Sequence, residues 1–150
     1  MIDVPQPVGF TITEERILPT ALRLSEQIIA EHPEIGGVVT FEGRVRNHHK
    51  GRTVTALEYS VYRDLAIREG ERIVRATVER LELPVAIAIH RVGAVPIGEM
   101  AVWIYVGGAH RQAAFEGCRE IIDEIKRHVP IWKHEWYGDG SDEWVLGNPQ

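Results

Sequence analysis

One apolar repeat constrains this chain more than any other feature. Between Gly107-Gly108 and Pro130, the residues Ala114, Cys118, Ile121, Ile125 and Val129 recur at steps of three and four. That spacing predicts one buried face of an amphipathic helix from about His110 to His128. Cationic groups stand at both ends: His110 and Arg111 at the start, Lys126 in the last turn, and Lys133 a few residues past the proline. A helix start offers free N–H groups to an anion. A cation there opposes the helix dipole, so His110 and Arg111 fit a ligand better than idle surface charge. Lys126 sits where the dipole already favours a cation, so its position alone says little.

The other elements follow from pattern. Gly9–Ile17 predicts a first strand. Leu18, Leu22, Leu24, Ile28 and Ile29 predict a helix over Leu18–Glu31, ended by His32-Pro33. Ile35–Val45 and Thr53–Tyr62 flank a turn at Asn47–Arg52 and predict a hairpin with a long tip. Asp64–Leu83 predicts a second helix with Leu65, Ile67, Ile73, Val74, Val78 and Leu81 inside, closed by Pro84. Val85–Val95 and Ala101–Val106 predict a further hairpin across Pro96–Glu99. Short strands at Ile131–Trp136 and Glu143–Leu146 complete the chain. Helices interspersed with hairpins predict an α+β fold with a largely antiparallel sheet. With no linker or repeat, residues 1–150 read as one domain.

Composition then excludes several functions. The formal charge of −5 argues against a nucleic-acid or anionic-membrane partner. No apolar run approaches the roughly 20 residues a membrane span needs. The start MIDVPQPVGF has neither the basic nor the apolar part of a secretory signal, so a cytoplasmic protein is expected. The single cysteine, Cys118, precludes an internal disulfide and a multi-cysteine metal site. It falls on the apolar helix face and reads as a small buried hydrophobe. No phosphate-cradling or dinucleotide glycine motif is present, and no paired histidines have metal-ligand spacing. The adjacent His48 and His49 read as solvated loop residues, so no metal and no cofactor are expected.

What remains is a set of cations. Arg44 and Arg46, two residues apart in an extended segment, point to the same side. Lys133 faces away from its neighbours Trp132 and His134. If Lys126 and Lys133 converge, their repulsion and partial burial lower the proton affinity of one of them toward the range where it acts as base or nucleophile.

Three blocks, GRVRNH, AHRQAAF and IKRHVPIWKHE, occur in that order. Together with most of the chain from the first strand to Trp144, they resemble the large, catalytic subunit of molybdopterin synthase. The resemblance implies an α/β hammerhead-type domain with an additional antiparallel β-sheet. It implies sulfur transfer to cyclic pyranopterin monophosphate, forming the dithiolene of molybdopterin. The sulfur comes from the thiocarboxylated C-terminal glycine of a small ubiquitin-like subunit, and two large subunits form the homodimer at the centre of a heterotetramer. It further implies Lys126 and Lys133 as the catalytic pair. Arg44, Val45, Arg46, His110, Arg111, His134 and Glu135 join them in substrate binding, with Phe41 as a pocket wall. Sulfur delivered by a partner agrees with a chain whose one cysteine is buried. In one place the chain departs from the family: Asn148 stands where an arginine is expected, which would weaken phosphate or tail binding or leave it to other residues.

Two other readings use the same residues. One is a non-enzymatic α+β module that binds a small phosphorylated ligand through these cations. The other is an RNA-binding domain using RVRNHHKGR with Tyr59 and Tyr62, which the acidic total disfavours.

Overall fold

The computed structural model describes residues 2–18 and 20–146, and the side chains of residues 20–24 lie outside that description. Its centre is a pair of antiparallel strands, β5 (Val85–Arg91) and β7 (Met100–Gly108), buried at every position. Such continuous burial requires cover on both faces of the sheet. Ala86, Ala88, Ile104 and Val106 face one apolar cluster, while Val85, Ile87, Ile89, Trp103 and Tyr105 face another. The first cluster is shared with two helices, α2 (Arg63–Leu81) and α3 (Arg111–His128). The second contains Ile28 of α1 (Thr20–Glu31), from which Ser25 Oγ also donates to Tyr105 Oη at 3.0 Å.

Two strands complete this first sheet. β1 (Val8–Thr13) runs parallel to β5, and β2 (Gly37–Arg44) antiparallel to β7, giving the order β1-β5-β7-β2. The second sheet is antiparallel. Its order is β3 (His48–His49), β4 (Arg52–Val61), β8 (Ile131–Tyr137) and β9 (Asp142–Leu146), with β6 (Gly93–Ala94) also paired to β4. The architecture is α+β, one mixed sheet and one antiparallel sheet.

The hairpin expected across residues 35–62 does not form. β2 pairs with β7, and β4 pairs with β8 in the other sheet. The register shifts at Gly43/Arg44. Beyond it, Val45 N–H donates to the Glu99 carbonyl and Gly98 N–H donates to the Val45 carbonyl, at 3.0 and 2.8 Å. Gly98 adopts φ +88, which a residue with a Cβ rarely does. These bonds fasten the chain to the 96–99 turn and send it across to the second sheet. Smaller differences are exposures: Leu65, expected inside, is 43% exposed, and of the residues expected to repeat along the first helix Ile29 is 38% exposed and Leu18, which lies ahead of α1, 41%. Leu22 and Leu24 are among the side chains outside the description, and Asn148 is outside the described residues.

The end of α3 decides where the lysines go. Val129, before Pro130, is extended (φ −80, ψ 123), as proline demands of the residue preceding it. The helix therefore stops, and the chain enters β8 at Ile131. Along β8, Ile131, Lys133, Glu135 and Tyr137 are buried while Trp132, His134 and Trp136 are more exposed, the period-two pattern of a strand. Lys126 in the last helical turn and Lys133 on the buried side of the strand are thus brought round one corner.

Candidate active site

A cavity of about 430 Å³ lies where the end of α3 meets both sheets. Apolar walls come from Phe41, Leu57, Val102, Ile122, Ile125, Val129 and Ile131. The polar lining comes from the chain leaving β2 (Arg44, Arg46, His48, His49), from Tyr59 and His90, and from Lys126, Lys133 and Glu135. No one element could supply this set. The crossing at Val45, forced by the 96–99 turn, carries the arginines from the first sheet toward the second.

Burial lowers the proton affinity of Lys126, and the charges of Lys133 and Arg46 lower it further against a weaker opposing pull from Asp123. Neither Lys126 nor Arg46 has an ion-pair partner among the described residues. Lys133 lies 3.6 Å from Glu135 Oε2. Burial of Glu135, only 2% exposed, would by itself raise its carboxyl pKa. Three partners outweigh that and hold it below the usual carboxylate value: the 2.7 Å bond with His49 Nδ1, the Lys133 charge, and the Tyr137 hydroxyl donating at 3.1 Å.

Two further groups on the wall are kept neutral. Burial drives His90 down to about 4, its bond to the Arg91 carbonyl opposes this, and the Lys126 charge adds to the lowering. Burial and the Glu135 charge push the Tyr59 phenol up to about 12. The Tyr59 and His90 rings meet edge to face, 5.1 Å between centroids. The Cys118 thiol is buried outside the cavity lining and is pushed up to about 11 by that burial, so it is a hydrophobe rather than a nucleophile. The site therefore offers cations, one lysine disposed to lose its proton and an apolar chamber, without a thiol of its own.

The family profile described as MoaE protein matches residues 12–128. The chain is 41% identical to the molybdopterin synthase catalytic subunit of Thermoplasma volcanium, over 89% of this chain and 94% of that one. It is 37% identical to the subunit of the same name from Pyrococcus abyssi, over 87% and 88%. The crystal structure of molybdopterin synthase from Staphylococcus aureus superposes with a TM-score of 0.76 at 31% identity, covering 94% of this chain and 98% of that one. The chain belongs to the MoaE family.

Within this MoaE-family chain, the residues singled out from sequence divide into two groups. Phe41, Arg44, Val45, Arg46, Lys126, Lys133 and Glu135 all line the cavity. Arg44 is already engaged: its guanidinium donates to Glu42 at 2.8 and 3.0 Å and to the Gly98 carbonyl at 2.7 Å. His134 is on the far side of β8, bonded to Asp142 at 2.6 Å and stacked 3.9 Å from Trp136. The alternation that turns Lys133 inward turns His134 outward. His110 caps α3, and Arg111 begins it, both exposed. Fifteen residues of helix separate Arg111 from Lys126, about 22 Å at the α-helical rise. One copy of the chain does not bring them together.

Three lining residues have a place in this cavity that the sequence did not indicate. His49 is not solvated but tied to Glu135. His90 follows the apolar run of β5, and Tyr59, between Glu58 and Ser60, was expected only as a contact for RNA. Only the interruption of a β-branched run by a lone histidine marked His90 at all.

Proposed function

We propose that this chain is the catalytic subunit of a molybdopterin synthase. It moves sulfur from the thiocarboxylated C-terminus of a small ubiquitin-like subunit to cyclic pyranopterin monophosphate, in the cytoplasm. The observation that carries the site assignment is the meeting of Lys126, Lys133 and Arg46 around one chamber, with Lys126 held below its ordinary proton affinity.

The roles follow from charge. Arg46 and the Lys133 ammonium face the phosphate and the partner's acidic tail, both of which need fixed cations. As the thiocarboxylate sulfur bonds to a substrate carbon, that carbon's bond to oxygen breaks, the oxygen leaving as phosphate or water, and the partner's acyl group becomes a thioester. Water then cleaves the acyl–sulfur bond, leaving sulfur on the pterin and a carboxylate on the partner. Two such transfers, from two partner chains, supply the two sulfurs of the dithiolene. Lys126, more readily neutral because its ammonium is disfavoured, is available to take up a proton released as water attacks the thioester. The apolar wall limits access of bulk water and strengthens these interactions. His110 and Arg111 reach a cavity only if a neighbouring copy supplies them, which the central homodimer allows.

The test is reconstitution: the purified chain, the thiocarboxylated small subunit and the cyclic pterin, with the dithiolene product followed by mass spectrometry. Product that requires all three components supports the reading. A folded chain that binds the pterin but yields no product is a sensor instead.

A further inference from the structure

We propose that His90 is a substrate-recognition residue, its Nε2 accepting a hydrogen bond from an N–H group of the bound heterocycle. The residue stands near the C-terminal end of β5, 7% exposed, and is part of the cavity lining. Its Nδ1 is 2.7 Å from the Arg91 carbonyl. A carbonyl only accepts, so Nδ1 carries the proton, and Nε2, in the neutral ring, is an acceptor. Among the described residues Nε2 has no hydrogen-bond partner. Burial and the nearby Lys126 charge keep the ring neutral, so the acceptor persists across the working pH range. Tyr59, edge-on at 5.1 Å, limits rotation of the ring.

Apart from the Tyr59 hydroxyl, which can donate or accept, the cavity's other buried side chains offer few acceptors. Arg44, Arg46, Lys126 and Lys133 are donors, suited to phosphate and carboxylate. The carboxylates are occupied: Glu42 by Arg44, and Glu135 by His49, Tyr137 and Lys133. A pterin carries ring N–H and amine donors as well as a phosphate, and a buried donor left without an acceptor binds poorly. His90 supplies that acceptor without adding charge. The inference rests on the pterin substrate proposed above.

Two substitutions separate recognition from structure. His90→Asn keeps an N–H where Nδ1 was, preserving the bond to Arg91, and removes the acceptor at Nε2. His90→Gln places an amide near Nε2 and gives up the Arg91 bond. In the reconstituted complex, His90→Asn should raise KM for the pterin about tenfold with kcat within about twofold, the size expected when one buried donor is orphaned. His90→Gln should recover most of that loss. A structural role reverses the order, with Gln worse than Asn, and overturns the proposal, as does an unchanged KM in Asn. The wild-type complex gives a second readout that needs no variant. The ¹⁵N resonance of His90 Nε2 should move on adding the pterin alone, while Nδ1 stays protonated, and a stationary Nε2 signal overturns the proposal. Wild type that binds pterin with the Nε2 shift but makes no product refutes the synthase reading and leaves this one standing. Product with no shift and a normal KM in Asn does the opposite.

Discussion

A lysine in the last turn of a helix is ordinarily a comfortable cation, since the carbonyl end of the dipole favours positive charge. At Lys126 burial, Lys133 and Arg46 all act the other way and prevail. Two consequences can be measured. Lys126→Ala should reduce kcat by about 100-fold or more, the usual scale for loss of a positioned proton acceptor, with little change in melting temperature. With Lys126 as the proposed proton acceptor, the limb of the wild-type kcat/KM profile that rises with pH should report its deprotonation. Arg46→Gln removes a charge that depresses its pKa, so that limb should move to higher pH. A limb that stays in place would take Lys126 out of the proton transfer. Glu135 makes the complementary case for stability. Its carboxylate is favoured in the folded state, so its contribution is fully present above the ordinary carboxyl pKa of 4.5 and is lost as pH falls through the lower folded value. Glu135→Gln should therefore be destabilised by about 3 kcal/mol at neutral pH, as when one member of a buried ion pair is removed, and less so in acid. Urea titrations at neutral pH and in acid would show the gap closing.

Element by element, local periodicity carried most of the fold. The 3.6-residue repeat of α3 and the stop at Pro130 marked where the helix ends and a strand begins, because a helix face and a proline are local facts, but whether Lys126 and Lys133 converge stayed open until the two sheets were placed. Pairing is not local. β2 and β4 carry the same β-branched character on either side of a glycine-containing turn, and nothing within residues 35–62 shows that the 96–99 turn seizes Val45 and divides the strands between two sheets. His90 was hidden for a related reason, since its role depends on what a strand faces after both sheets assemble. Close approach between elements was also illegible. A Cβ on Gly70 of α2 would stand 2.3 Å from the Phe10 ring of β1, too near for the helix to keep its place. Gly70→Ala should destabilise the chain by about 1–3 kcal/mol despite alanine's better helix propensity, because overpacking outweighs the roughly 1 kcal/mol that propensity returns. Phe10→Leu in the same chain should relieve part of that loss in denaturant melts. Equal stability of Gly70→Ala and wild type would mean that α2 can retreat from the sheet without cost.

At the scale of the whole molecule, the roles proposed for His110 and Arg111 require a second chain. Lys126 belongs to the cavity at the helix's end, whereas His110 and Arg111 are exposed about 22 Å away along the axis, with no acidic partner among the described residues. Arg111 also stands at the helix end where the dipole disfavours it, so it adds nothing to the stability of its own helix, in keeping with the anion-binding role proposed for it. If the neighbour's helix start completes each cavity, Lys126→Ala and Arg111→Ala damage the same site through different chains. Each homodimeric variant should then lose most of its activity. In a mixed dimer carrying one of each, one cavity receives both lesions and the other receives neither, so unfolding and co-refolding the two variants should restore up to about a quarter of wild-type turnover at random assortment. Size-exclusion chromatography would establish that the mixture is dimeric before assay. Activity that stays at the level of the separate variants would place Arg111 and Lys126 in the service of the same chain's site, or Arg111 outside the reaction altogether.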